Sequence, residues 1–278
     1  MTGGLPIGFD LCNSTYIGST SSGLDYIAPA APATANTKSA WTQLTASVGL
    51  DVCWMELEFE ITGSATVGVS IAIDIAIGPS GSEQVIVSNL ILSAQINFGG
   101  WGHICFPISI PAGTRIAMRY QSTAANSSFA NPITYFSCKV YDGGLTQMEG
   151  VAGIDAIGAT ALTASPYSTT LTAGHQAMGS YTQLVASTAR DYLGFLIVPD
   201  NQTVGDQTNF PVGQIDIAIG PSGSERVIST LMFDQNTLIA GAVRMVAVPA
   251  GTRIAARSGV NSASFTGHVG CVVYGLYQ

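Results

Sequence analysis

The sequence predicts an all-β protein built from two tandem, jelly-roll-like β-sandwich domains related by internal duplication. Between Val67 and Ile77, valine or isoleucine occupies every second position, with small or polar residues between them. This alternation is typical of a strand with one buried face. The segment Gly78-Pro79-Ser80-Gly81-Ser82 follows directly and has turn chemistry. No stretch combines a helical period with capping residues, so we expect no long helices.

The duplication is visible as motifs that occur twice in the same order. The longest, IDIAIGPSGSE, is identical from Ile73 to Glu83 and from Ile215 to Glu225. The others are WTQLTAS and YTQLVAS at 41–47 and 181–187, PAGTRIA at 111–117 and 249–255, and CKVY and CVVY at 138–141 and 271–274. We therefore predict two domains, 1–145 and 146–278, which meet in the turn-rich segment 142–151. Each has the size of an ordinary single domain.

Composition narrows the class of protein. Apolar residues make up 47% of the 278 residues and charged residues only 9%, and there are 32 glycines. Soluble domains usually carry about 25% charged residues, so this composition disfavours both long solvated helices and disorder. A surface finished with neutral polar groups suits contact with other protein, because such groups are less costly to bury than charges.

Charge and hydropathy exclude several kinds of partner. The net charge is −8, and the nine basic residues form no stripe, so we expect no direct nucleic-acid binding. No apolar run is long enough to span a bilayer, so we expect no membrane insertion. The segment from Met1 to Asp10 lacks the basic and apolar regions of a secretory signal.

The cysteines and histidines predict neither a metal site nor a cofactor. The five cysteines form no CxxC pair, so we expect free, buried thiols: Cys12, Cys53, Cys105, Cys138 and Cys271. The three histidines lie at unrelated points of the repeats: His103, His175 and His268. No serine lies in a GxSxG motif, and GPSGSE lacks the lysine of a phosphate-binding loop. We therefore expect no catalytic residue, no metal, no cofactor and no enzymatic activity.

Charged residues recur in register in the two copies. They are Asp74, Glu83, Arg115 and Arg119 in the first copy and Asp216, Glu225, Arg253 and Arg257 in the second. Residues four apart on a strand point to the same face, as Arg115 and Arg119 do if this segment is extended. We predict a structural clamp in which an arginine and a carboxylate hold the GPSGSE turn, because the planar guanidinium matches a carboxylate bidentately. The alternative is that these charges are solvated and never meet.

The strand predicted from Cys53 to Glu60 carries a second candidate site. Cys53, Met55, Leu57 and Phe59 are expected to face the core, and Trp54, Glu56, Glu58 and Glu60 to face outward. An aromatic side chain beside paired carboxylates resembles a glycan site. Carboxylates two residues apart on a strand lie about 7 Å apart, which is within the range used by glycosidases.

This acidic stripe does not belong to the repeated scaffold, because the second copy has Leu196, Val198 and Asp200 near the same places. We therefore expect a solvated or partner-facing strand. Its possible interface or glycan contacts are Trp54, Glu56, Glu58 and Trp101. The stripe could instead take a cation or meet a basic partner.

The repeated motifs also carry a resemblance. IGPSGSE, then a strand, then an aliphatic segment ending in PAGTRIAxR, resembles a family of structural proteins from tailed-bacteriophage virions. The resemblance covers both halves of the chain. It implies a virion component assembled in the host cytoplasm, of the capsid-decoration, head-fibre or tail type, and it supplies no catalytic residues.

Three functions remain open at this point. The first is a non-enzymatic structural component of the virion that binds capsid or tail subunits. The alternative is a module that binds a host receptor or surface glycan, with loops 121–132 and 258–267 as recognition loops. The third is a glycan-cleaving enzyme, for which Glu56 and Glu58 are the only candidates. We also expect a homo-oligomer, with a trimer favoured, because three chains of two similar sandwiches make six similar lobes.

Overall fold

The computed structural model describes residues 13–18, 26–61, 69–94, 100–123, 133–142, 150–159, 162–163, 167–202, 212–233, 242–262 and 268–278. Every named element in these ranges is a β-strand, which confirms the predicted all-β class. The strands are β1 (Ser14–Ile17), β2 (Thr42–Thr45), β3 (Val52–Ile61), β4 (Val69–Ile77), β5 (Gln84–Ala94), β6 (Gly100–Ile110), β7 (Ile116–Ser122), β8 (Ile133–Tyr141), β9 (Gly153–Ile157), β10 (Thr169–Leu171), β11 (Ala173–His175), β12 (Thr182–Val185), β13 (Gly194–Gln202), β14 (Gly213–Ile219), β15 (Arg226–Phe233), β16 (Ala242–Arg244), β17 (Ile254–Val260) and β18 (His268–Tyr277).

Each copy forms a jelly roll of eight strands in two packed sheets. In the first copy the sheet orders are β1-β8-β3-β6 and β5-β4-β7-β2. In the second copy, β9-β18-β13-β16 and β15-β14-β17-β12 repeat these orders strand for strand. Strand β1 corresponds to β9, because the two strands end at Ile17 and Ile157, and each is followed by a glycine with a positive φ angle (85° and 87°). Strand β3 likewise corresponds to β13, β5 to β15 and β8 to β18, and the short strands β10 and β11 have no named counterpart in the first copy.

Alternating side chains fill the space between the sheets, as the period of two predicts. Met55, Leu57 and Phe59 of β3 are fully buried. Cys53 was expected to join them, and this expectation is wrong. The pairing register of β3 and β6 shifts between Val52 and Trp54, which places Val52 in the core and leaves Cys53 half-buried.

A sheet buried on both faces joins the two copies. Alternate residues of β13 belong to different cores: Phe195 and Ile197 lie in the second, while Leu196 and Val198 lie in the first. Strand β18 divides in the same way, with Cys271 and Val273 in the second core and Val272, Tyr274 and Leu276 in the first. The second copy thus packs the outer side of its β18–β13 sheet onto the first copy.

The contact between the copies is centred on β5. Val87 of β5 forms one parallel bridge with Ile154 of β9, which links the two copies into one nine-stranded sheet. Beyond the bridge, the Tyr274 hydroxyl accepts a hydrogen bond from the Ile91 amide (2.6 Å) and donates one to the Asn89 carbonyl (3.2 Å). The Tyr274 side chain of β18 therefore supplies hydrogen bonds to the Ile91 amide and the Asn89 carbonyl on the edge of β5.

The burial of the cysteine thiols differs from strand to strand. Cys138 and Cys271 are buried and not part of a disulfide, as expected, whereas Cys53 and Cys105 form no disulfide either but are only half-buried. Cys12, part of the predicted domain boundary (143–149), and parts of both predicted recognition loops (124–132 and 263–267) lie outside the described residues. No helix within the described ranges is long and apolar enough to cross a membrane.

Candidate functional site

The repeated charged residues meet in two polar networks per copy, and the first network surrounds the GPSGSE turn. Arg115 Nη1 donates to the Gly78 carbonyl oxygen (3.0 Å) and to Glu83 Oε1 (3.2 Å). Its Nε donates to Gln43 Oε1 (3.0 Å). The other carboxylate oxygen of Glu83 accepts from the Gly81 amide (3.0 Å). One guanidinium therefore spans both ends of the turn.

The second copy repeats this arrangement almost atom for atom. Arg253 Nη1 donates to the Gly220 carbonyl oxygen (3.0 Å) and to Glu225 Oε1 (3.1 Å), and Nε donates to Gln183 Oε1 (3.1 Å). Glu225 Oε2 accepts from the Gly223 amide (2.9 Å). Positive φ angles at Gly220 (112°) and Gly223 (83°) explain why the turn needs glycine there.

The second network of the first copy is built on Asp74, which is only 4% exposed. Its carboxylate accepts from Arg119 Nε (2.9 Å), Lys38 Nζ (2.9 Å) and the Asn89 amide (2.9 Å). The Arg119 guanidinium lies over the ring of Trp41, 4.4 Å from its centroid. Burial lowers the pKa of Lys38, while the Asp74 carboxylate acts in the opposite direction.

Asp216 occupies the equivalent position in the second copy and is 3% exposed. It accepts from Arg257 Nε (3.0 Å), Gln214 Nε2 (2.9 Å) and Thr230 Oγ1 (2.8 Å). Arg257 in turn lies over Tyr181, 4.7 Å from the ring centroid. Burial alone would raise the pKa of Asp216, but these hydrogen bonds and the guanidinium charge outweigh it and lower the pKa.

These networks bring all eight predicted clamp residues into four ion pairs, two in each copy. Sequence analysis did not predict the other partners in these networks. For four of them a signal was present, because they lie in the repeated WTQL and YTQL motifs: Trp41, Gln43, Tyr181 and Gln183. Lys38, Asn89, Gln214 and Thr230 lie in no repeated motif. Each carboxylate is already hydrogen-bonded to groups of its own copy, so the networks are suited to stabilising the fold rather than to reacting with a substrate.

Replacing Arg115 by Lys tests the stabilising role of the first network. An ammonium cannot reproduce the planar fork that reaches Gly78, Glu83 and Gln43 together. We expect a loss of about 1–2 kcal/mol in the free energy of unfolding, seen as a fall in melting temperature of about 2–4 °C. Arg253→Lys should have the same effect in the second copy.

Arg244→Lys is the matched control, because Arg244 is exposed and its Nη1 donates to the neighbouring Val243 carbonyl oxygen. Its melting temperature should equal that of the wild type. Unchanged melting temperatures for both Arg115→Lys and Arg253→Lys would show that these networks do not stabilise the fold.

A different kind of surface lies on the outer side of the first copy's β1-β8-β3-β6 sheet, here called the Glu56 face. Backbone pairing aligns Tyr16, Lys139, Glu56 and Cys105 in one row across the four strands. On one side of this row, Trp54 pairs with Tyr141. On the other side, Glu58 pairs with His103. The face therefore combines aromatic, acidic, basic and metal-ligating side chains, with Tyr16 40% exposed.

Glu56 is the centre of this face. Its Oε1 lies 2.5 Å from His103 Nε2, and its Oε2 accepts a hydrogen bond from the Tyr141 hydroxyl. Burial would raise the pKa of Glu56, but the bonds from Tyr141 and His103 outweigh it and lower the pKa. Lys139 Nζ lies 5.2 Å from the Tyr16 ring centroid and 5.0 Å from that of Tyr141, so two aromatic rings flank the cation.

The predicted contacts Trp54, Glu56 and Glu58 lie half-buried on this face, whereas the side chain of Trp101 lies outside the described part of the chain. Sequence analysis did not connect them with His103, Cys105, Lys139 or Tyr141. It could not, because the neighbours come from β6 and β8, and strand order cannot be read from an alternating pattern.

No family model matches the chain, and no curated protein matches it. Among solved structures, the chain is similar to PNGF-II in two crystal forms, with 6% and 8% identity and TM-scores of 0.46 and 0.39. These alignments cover 95% of this chain, which spans less than two thirds of PNGF-II (65% and 66%). It is also similar to the N-terminal CBM22-1–CBM22-2 tandem domain of Paenibacillus barcinonensis Xyn10C, with 10% identity, a TM-score of 0.28, and 97% and 92% of the two chains covered. With TM-scores below 0.5, none of these similarities assigns a function to the chain.

Proposed function

We propose that this chain is a non-enzymatic structural protein that assembles with further copies of itself through the faces of its sheets. One observation carries the proposal: Ile91 on β5 is 1% exposed, whereas Met232, its counterpart on β15, is 61% exposed. The second copy covers Ile91, whereas Met232 stays exposed among the residues that the structure describes. An exposed apolar residue at a position that is buried in the sister domain supports a contact with another chain.

Strand pairing establishes that these two positions correspond. Ile73 of β4 pairs with Leu90, and its twin Ile215 of β14 pairs with Leu231. Ile91 and Met232 are the next residues along their strands. They therefore occupy the same place on two copies of one scaffold.

The surface that covers β5 also has an uncovered twin. Val198, Val272 and Tyr274 pack onto the first copy, and each is at most 1% exposed. Their counterparts are Glu56, Lys139 and Tyr141 on the Glu56 face, which are half-buried rather than buried. The surface around Met232 and the Glu56 face thus correspond to the two halves of the contact inside the chain.

Placing the Met232 surface of one copy against the Glu56 face of the next repeats the intrachain contact between chains. Such a contact is heterologous, because it joins two different surfaces, and it forms a ring when the rotation closes. We propose a ring of three chains, which would contain six similar sandwiches.

Light scattering and analytical ultracentrifugation test this assembly. We expect the wild-type chain to form trimers at high concentration and Met232→Lys to remain monomeric, because a buried ammonium without a partner is costly. Met245→Lys is the control: Met245 is 45% exposed, directly follows β16 in the other sheet, and should not affect assembly. A wild-type chain that stays monomeric at every concentration would refute the proposal.

A mixing experiment separates a heterologous contact from a symmetric one. Met232→Lys removes one surface and Trp54→Lys removes the other, so neither variant should associate alone. When mixed, each retains the surface that the other lacks, and a one-to-one heterodimer should form. Absence of this heterodimer would exclude the head-to-tail arrangement.

The virion is the proposed place of this assembly. Support comes from the resemblance of the repeated IGPSGSE and PAGTRIA motifs to tailed-phage structural proteins, and from a surface with few charges. Antibodies raised against the chain should label purified particles in electron micrographs. Particles of the source phage that carry no label would contradict a virion location.

Carbohydrate binding at the Glu56 face is the second candidate function. The specific observation that favours it is an open sheet surface on which Tyr16, Trp54 and Tyr141 lie close to Glu56 and Lys139. Aromatic rings offer apolar faces to sugar rings, and charged groups beside them can orient hydroxyls. Since Glu56 is engaged by Tyr141 and His103, we propose binding without cleavage.

Isothermal titration with a panel of bacterial surface polysaccharides tests this candidate. We expect wild-type binding with no new reducing ends, and at least a tenfold weaker association for Trp54→Ala, a loss of about 1.4 kcal/mol. Tyr181→Ala is a control, because Tyr181 covers Arg257 in the other copy. Release of reducing ends would replace the binding function by an enzymatic one, and absence of binding to the whole panel would argue against this candidate.

A further inference from the structure

We infer that Glu56, His103 and Cys105 form a site for a divalent transition metal of the zinc type. The ligand atoms of these three residues all lie within 4.8 Å of one another. His103 Nε2 lies 3.5 Å from Cys105 Sγ and 2.5 Å from Glu56 Oε1. The inference does not depend on the proposed assembly, because one chain supplies all three ligands.

The sheet itself brings the ligands together. Glu56 of β3 and Cys105 of β6 are direct cross-strand partners, and His103 lies two residues before Cys105 on the same strand face. Neighbouring strands are about 4.8 Å apart, and residues two apart on a strand are separated by about 7 Å. Side chains from these positions therefore converge without any loop having to move, which is the arrangement of a preorganised site.

The donor set selects the class of metal. A thiolate, an imidazole and a carboxylate are the ligands that zinc prefers, whereas calcium and magnesium require oxygen ligands. In a tetrahedral zinc site, bond lengths of about 2.0 Å to nitrogen and 2.3 Å to sulfur place these atoms about 3.5 Å apart, which is the spacing of His103 Nε2 and Cys105 Sγ.

One ligand must move for the metal to enter. Tetrahedral geometry separates a zinc-bound nitrogen and oxygen by about 3.3 Å, so the contact between His103 and Glu56 has to open by less than one ångström. The His103 side chain is 55% exposed, so its ring has room to turn. Three protein ligands leave a fourth position toward solvent, where water completes the coordination.

A neighbouring group supports the carboxylate. The Tyr141 hydroxyl donates to the Glu56 oxygen that does not face His103, so one oxygen remains directed toward the site. Hydrogen bonds of this kind orient metal ligands and are important for affinity. When the metal binds, the Cys105 thiol gives its proton to solvent and the thiolate forms the metal–sulfur bond, so no oxidation or reduction is involved.

The site belongs to the first copy alone. Val198 stands in the second copy where Glu56 stands in the first, and its side chain is buried in the first core. A hydrocarbon side chain supplies no ligand. The inferred stoichiometry is therefore one metal ion per chain, although the two domains share one fold.

Titration of the reduced, metal-free full-length chain with Co²⁺ tests the inference, since cobalt reports thiolate ligation by a charge-transfer absorption in the near ultraviolet. We expect this absorption to saturate at one equivalent and to disappear when Zn²⁺ is added. Cys105→Ser should abolish it. Cys53→Ser is the matched control, because Cys53 is another half-buried cysteine outside any disulfide, on strand β3, and it should retain the full signal.

Two further variants keep the test decisive if Cys105→Ser folds poorly. His103→Ala and Glu56→Gln should each weaken Co²⁺ binding at least about tenfold, while circular dichroism of the metal-free proteins shows an unchanged fold. Zn²⁺ should also raise the melting temperature of the wild type but not of His103→Ala, because a ligand that binds only the native state stabilises it. Absence of the thiolate absorption in the wild type, or its persistence in Cys105→Ser, would overturn the inference.

Discussion

The burial of one sheet on both faces is the constraint on which the rest of this molecule depends. Strands β13 and β18 contribute alternate residues to two different cores, so the second jelly roll cannot separate from the first without exposing Leu196, Val198, Val272 and Tyr274. A sheet covered on both sides requires apolar residues at consecutive positions. The sequence meets this requirement with Phe195-Leu196-Ile197-Val198, whereas the equivalent strand of the first copy alternates strictly from Trp54 to Glu60. This difference in sequence determines which copy contributes the sheet that is buried between the two cores.

The duplicated arginine–carboxylate networks explain why the eleven-residue run survived unchanged while its surroundings diverged. Asp74 and Asp216 are nearly inaccessible, and removing a partner from a buried charge is far more costly than changing a solvated residue. Their partners other than the arginine nevertheless differ. Asn89, at a positive φ of 50° in a bulge of β5, donates its backbone amide to Asp74. In the second copy, Thr230 of β15 pairs directly with Asp216, and its hydroxyl donates to the Asp216 carboxylate. The carboxylate and the arginine are fixed, and the sheet around them has adapted.

Sequence reasoning was successful where a single strand carried the whole signal. The period of two from Val67 to Ile77 and the turn after it were sufficient for the fold class, and the repeats paired Arg115 with Arg253 and Glu83 with Glu225 before any coordinates. It failed where the signal is shared between strands. Cys53 leaves the core because of a register shift that no periodicity encodes, and His103 meets Glu56 only because β6 lies beside β3. A continuous apolar run at 195–198 was available as a sign of two-sided burial, but its meaning depends on knowing that a second sheet covers it.

The open surfaces of the molecule differ in chemistry from their buried twins, and this difference bears on how an assembly could form. Within the chain, the contact between the copies is apolar and permanent, with Val272 and Val198 facing β5. Between chains, the proposed contact would place Lys139 and Glu56 at the equivalent positions, where both are half-buried and would lose their remaining contact with water. Interfaces with polar residues at such places form reversibly, because desolvation offsets much of the gain from packing. A duplicated domain whose inner contact is apolar and whose outer contact is polar can therefore fold first as a stable monomer. It would associate only when the local concentration of neighbouring subunits is high.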